Sequence, residues 1–235
     1  MNKFHQVATD LKESIKLDTE AVAVSYLQAA PDDVPKYQGK PVPSGCRFWV
    51  EARQSTFYTV AEDHYNCPIG TLTQGFSIQE EHAEEAQGLF KMMVDNKYLR
   101  NEDLEGVPKI TSDPKVITYG PLSEATATPD VVVLACNSYQ AMLLSEAIAA
   151  SGMDGFPSLM GRPTCAALPV TLDTDKPTLS LGCIGNRVYT ELADDQMVIT
   201  LPGSKLTTIV DAVKDMVKTN ALLEGAHREK KGAIV

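Results

Sequence analysis

Apolar residues at Phe4, Val7, Leu11 and Ile15 recur at steps of three and four, the single stripe of an opening helix. Residues 21–27 (AVAVSYL) read as a buried strand. Residues 31–45 hold four prolines and two glycines and predict a long irregular connection. A short helix over 45–54, a strand over 57–61 and a turn over 63–70 follow. Residues 80–99 are helical in pattern, with Leu89, Phe90, Met93 and Val94 inward. Strands are expected over 115–119 and 130–135, then a helix over 138–150 stopped by Gly152. Short strands over 179–181 and 197–201 precede a last helix over 205–223, striped by Leu206, Ile209, Val210, Val213, Met216 and Val217. The tail from Gly225 is expected to fray. The mixture predicts an α/β class, or mixed α+β, in a single domain of residues 1–235.

Two stretches share a layout. The first runs from AVAVSYL through a Pro-rich connection to Cys46, then strand FYTVA, then Cys67-Pro-Ile-Gly. The second runs from VVVLAC through a helix and GFPSLMGRPT to Cys165, then TLSLG, then Cys183-Ile-Gly. The paired cysteines stand 21 residues apart in the first and 18 in the second. This suggests an internal duplication, with two similar βα half-domains at about 18–100 and 115–220 around a shared interface.

The cysteines carry the candidate chemistry. Cys46, Cys67, Cys165 and Cys183 fall in loops or at element ends, where sites usually form. Cys136 closes an apolar strand and reads as a small buried hydrophobe. The four loop thiols suit an iron–sulfur cluster, a structural zinc or ordinary reduced cysteines. No pair lies two to four residues apart, which argues against zinc more than against a cluster. Cys67-Pro68 resembles the close of a ferredoxin run, but the compact spacing of such a run is absent. Gly70, Gly182 and Gly185 leave room for a cofactor beside the sulfurs. Arg187, with Arg47, Arg53 and Arg162, could lower thiol pKa values or grip an anion, although surface ion pairing is the plainer role. His64, three residues before Cys67, invites a Cys–His nucleophile pair, against the commoner outcome of a surface-loop histidine. His82 sits among glutamates on what reads as a solvated helix face.

Composition narrows the classes further. The net charge of −10 makes nucleic acid an improbable partner. The N-terminal residues lack the apolar core of a signal peptide, and the longest apolar run (VVVLAC) is far short of a membrane span. A cytoplasmic location with reduced thiols is therefore expected. No phosphate loop, nucleophile elbow or His-rich metal signature is present.

The order GCRFWVEARQSTFYTVAEDHYNCPIG, GPLSEATATPDVVVLACNSYQAMLL and PTCAALPVTLDTDKPTLSLGCIGNR resembles the domain-of-unknown-function family 169. The resemblance spans roughly residues 8–217, most specifically in the PDVVVL…N..QAM and LSLGC.G.R segments. It implies one family-wide domain, found in anaerobic bacteria and archaea, with no settled activity to carry over. It also implies that Cys46, Cys67, Cys165 and Cys183 lie in recognisable blocks, while Cys136 stands where apolar or small residues are usual.

The expectation is thus a redox or electron-transfer protein holding an iron–sulfur cluster on Cys46, Cys67, Cys165 and Cys183. Its partner would be a redox protein or a small molecule, and a homo-oligomer is compatible. The alternatives are a metal-free small-molecule or cofactor-binding module and a thiol enzyme using Cys67 or Cys183.

Overall fold

The computed structural model describes residues 3–153, 159–160 and 163–234. In chain order the elements are α1 (Lys3–Ile15), β1 (Val22–Leu27), α2 (Arg47–Glu51), β2 (Phe57–Thr59), α3 (Pro68–Thr73), α4 (Glu80–Asp95) and α5 (Asn101–Glu105). They continue with β3 (Val116–Pro121), β4 (Val131–Asn137), α6 (Ser138–Ala150), β5 (Leu159–Met160) and α7 (Ala167–Thr174). The chain ends with β6 (Thr178–Ser180), α8 (Ile184–Thr190), β7 (Gln196–Pro202) and α9 (Leu206–Ile234).

The apolar run of β4 has a simple cause. Val132, Leu134 and Cys136 face one core, and Val131, Val133 and Ala135 face the other. A strand buried on both sides reads as continuous hydrophobicity rather than alternation. The first core packs α1, α6 and α9 on the sheet through Leu11, Leu144, Ile199, Leu201, Ile209 and Val213. The second lies under short helices and loops, around Phe48, Trp49, Phe57, Ile117, Tyr119 and Leu168.

The sheet order is β2-β3-β1-β4-β7-β6-β5. Every pairing is antiparallel except β5 with β6, so the class is mixed α+β. The seam is the antiparallel pair β1–β4, with Ala23 opposite Val132. Moving outward from it, one side gives β1, β3, β2 and the other β4, β7, β6, each a first strand, then a later one, then one between them in the chain, with β5 added beyond β6. The helices on the second face follow the same relation. α2 packs against α8, and α3 against the turn Thr164–Ala166 that opens α7.

Several boundaries differ from the sequence expectation. The tail is not frayed within the described residues: α9 continues to Ile234, with Arg228 and Glu224 paired one turn apart along its exposed end. The expected turn at 63–70 is a 3-10 turn followed by α3, whose first residue is Pro68, where the missing N–H costs nothing. α3, α5, α7 and α8 span five to eight residues, too short for a stripe to announce them. The helix expected over 80–99 stops at Asp95, and Lys97 takes a positive φ of 57°. Gly152, with φ 82°, ends α6 as expected.

Gly203 closes the turn after β7 against Pro129. A Cβ there would lie 1.7 Å from the Pro129 carbonyl oxygen, and the Gly203 N–H donates to the Asp130 carbonyl at 3.1 Å. Gly203→Ala must push the turn away from Pro129, just before β4. A loss of at least about 3 kcal/mol is expected in urea unfolding, and an unchanged midpoint would contradict this packing.

Candidate functional site

The sheet divides the five cysteines. Cys136 is fully buried in the core under α1, α6 and α9, on the opposite face from the other four. Cys46, Cys67, Cys165 and Cys183 all line one cavity of about 490 Å³ on the face of the short helices. Cys46 precedes α2, Cys67 precedes α3 and Cys183 precedes α8, while Cys165 sits in the turn before α7. Cys46 and Cys67 therefore flank β2 in the chain, and Cys165 and Cys183 flank β6.

Local chemistry fixes each thiol. The Cys67 N–H donates to the His64 carbonyl at 2.9 Å, and the Cys67 carbonyl accepts from Thr71 N–H at 2.7 Å. A Cβ on Gly70 would come within 2.8 Å of Cys67 Sγ, so glycine leaves the sulfur its place. The Cys183 N–H donates to Thr164 Oγ1 at 2.6 Å, which ties the Cys183 loop to the residue beside Cys165. Ser44 Oγ lies 3.1 Å from Cys46 Sγ and 3.6 Å from Cys67 Sγ, so one hydroxyl spans two of the sulfurs.

The thiols also feel one another. Burial pushes the Cys46 thiol up to about 11, opposed by Ser44 and Asn186 and reinforced by Cys67 and Cys183. Burial raises Cys165 well above the ordinary thiol range, and repulsion from Cys67, Cys183 and Cys46 adds to it. Such thiols are protonated at neutral pH and are poor nucleophiles, and a metal that binds them must displace their protons. Among the described residues no group of three or more His, Cys, Asp or Glu closes on a point that would hold a metal ion. A single ion draws its thiolates to within about 4 Å of one another at bond lengths near 2.3 Å. A cluster binds each thiolate at a different iron and holds the sulfurs further apart.

The remaining wall is mostly hydrocarbon: Ile69, Leu72, Leu89, Phe90, Met93 and Leu99 line it. The inner face of α4 is thus half-buried across the cavity rather than packed on the body. Among the described residues the charged groups in the lining are Glu105 and Lys109, which sequence reasoning did not single out. Sequence reasoning also passed over Ser44, Thr164 and Asn186, which carry no spacing signal of their own.

The glycines and arginines divide by task. Gly185 lines the cavity. Gly182 takes φ 82° and packs against Leu192 and the Arg187 stem. The Arg187 guanidinium donates to the carbonyls of Leu181, Ala193 and Gln196, fastening the loops around α8. Arg47 pairs with Glu51 and donates to the Tyr189 carbonyl. Arg53 lies beside Trp49 in a separate, small cavity. Arg162 lies outside the described residues. None of Arg47, Arg53 and Arg187 lines the thiol cavity.

His64 is not a surface-loop histidine. It is 1% exposed, packed between Phe48 and Phe76, with Nε2 2.9 Å from Thr59 Oγ1. Its Nδ1 has no hydrogen-bond partner, and no bond joins its ring to Cys67. His82 stacks on Tyr65 at 4.3 Å, holding the start of α4 to the loop before Cys67.

With this geometry in place, comparison with known proteins gives a family. The sequence matches the profile of DUF169, described as "Uncharacterised ArCR", over residues 10–212. The chain belongs to the DUF169 family. It is similar to "Uncharacterized protein MJ0308" of Methanocaldococcus jannaschii, 25% identical over 231 residues, covering 91% of this chain and 95% of the relative. No solved structure matches. No helix among the described residues of this DUF169 protein is long and apolar enough to cross a membrane.

Burial lowers His64 to about 3, against about 6.5 in an unfolded chain. Below pH 6.5 the unfolded state binds a proton that the native state refuses. His64 therefore removes stability as pH falls from 6.5 toward 3, at about 1.4 kcal/mol per pH unit. Denaturant titrations between pH 6.5 and 4.5 should show this slope, and His64→Phe should flatten it. Equal slopes in the two proteins would refute the assignment.

Proposed function

We propose that this DUF169 protein is a redox or electron-transfer protein that holds an iron–sulfur cluster on Cys46, Cys67, Cys165 and Cys183. The observation that carries the reading is the lining of one cavity by these four thiols, although they span most of the chain. The donor set is all sulfur, the ligand class that clusters use. The relation between the two sheet halves supports an internal duplication in which each half contributes two ligands. A bound cluster would supply one-electron chemistry. Gly70 gives the Cys67 sulfur room, Thr164 orients the Cys183 loop, and the hydrocarbon wall of α4 limits access of water. A redox partner protein or a small molecule would exchange electrons at this site.

A second reading, a small-molecule-binding module without metal, is favoured by the size and apolar wall of the same cavity, which falls within the range of ligand pockets. The Cys–His pairing that thiol catalysis would use is not formed, because the nearby histidine is turned to Thr59.

Anaerobic purification, or reconstitution with ferrous iron and sulfide, separates these readings. The expected result is brown protein with bound iron and acid-labile sulfide, and loss of most of both in each of Cys46→Ser, Cys67→Ser, Cys165→Ser and Cys183→Ser. Folded wild-type protein that stays colourless and iron-free would sink the cluster and leave the metal-free module.

Cys136→Ala makes the complementary test. It should keep the full iron content, because the sheet separates Cys136 from the cavity, and it should cost on the order of 1 kcal/mol of stability. Loss of iron in folded Cys136→Ala would show that the division into four cysteines and one is wrong.

A further inference from the structure

Asn186, on α8, is 2% exposed, yet neither its Nδ2 nor its Oδ1 has a hydrogen-bond partner. A buried amide left without partners is costly, and a leucine would fill similar space without that cost. The side chain lines the thiol cavity together with Cys46 and Ser44. A neutral thiol is a weak acceptor, whereas an ionised sulfur accepts strong, charge-assisted bonds. The cavity that Asn186 lines therefore offers its N–H a partner of this kind when a cysteine sulfur there ligates a metal. Ser44 is placed the same way. It is 7% exposed, and its hydroxyl reaches the sulfurs of Cys46 and Cys67.

We propose that Asn186 and Ser44 are positioning residues that donate hydrogen bonds to the ligand sulfurs of Cys46 and Cys67, and thereby raise the reduction potential of the cluster held there. The proposal rests on the cluster reading above. A donor aimed at a ligand sulfur stabilises the form with more negative charge, which is the reduced one. Removing the donor makes the cluster harder to reduce without removing a ligand.

The test uses the full chain, reconstituted anaerobically with iron and sulfide and titrated with dithionite while the visible and electron paramagnetic resonance spectra are followed. Asn186→Leu and Ser44→Ala should bind as much iron as the wild type but show a lower midpoint potential. A tenfold loss in the equilibrium for reduction corresponds to about 59 mV for one electron. Asn186→Ala gives up the same donor without adding charge or bulk. It should shift the potential in the same direction, and it decides the matter for Asn186 where the leucine variant does not fold. Cys136→Ala, across the sheet, should leave the potential unchanged. Loaded Asn186 and Ser44 variants with the wild-type potential would overturn this inference and leave the cluster standing. Wild-type protein that takes up no iron would overturn the cluster reading and this inference together.

Discussion

Burial of the sheet on both faces is the constraint on which the rest of this structure depends. β1 and β4 meet at its centre, and neither can slip by one residue without sending a set of valines from one core into the other. That rigidity lets the two faces differ. One carries three helices of thirteen residues or more in conventional packing. The other carries short helices and connections, with α4 across the cavity from them. The cysteines sit on the second face.

A site assembled in this way is costly to the fold. Buried thiols, an amide without partners and a cavity under α4 each lower stability relative to a packed apolar layer. Natural sequences accept such costs where function is located. Here they coincide at one place, the end of the seam where α2 meets α8 and α3 meets the turn before α7. A ligand that takes up the thiols and the donors around them would recover much of that loss through binding linkage.

The sequence by itself determined the long elements. The stripes of α1, α6 and α9 and the two-sided run of β4 were legible because long helices and central strands repeat one burial environment over many residues. It also separated Cys136 from the other cysteines, since an apolar run around a thiol already signals a core position. Only the tertiary structure decided that Cys46, Cys67, Cys165 and Cys183 share one cavity, because convergence follows from strand order, which local pattern does not encode. The same holds for His64, whose loop sequence looks exposed until Phe48 and Phe76 close over it. It holds as well for Ser44 and Asn186, polar residues without spacing or motif, which only folding sets in the wall of the thiol cavity.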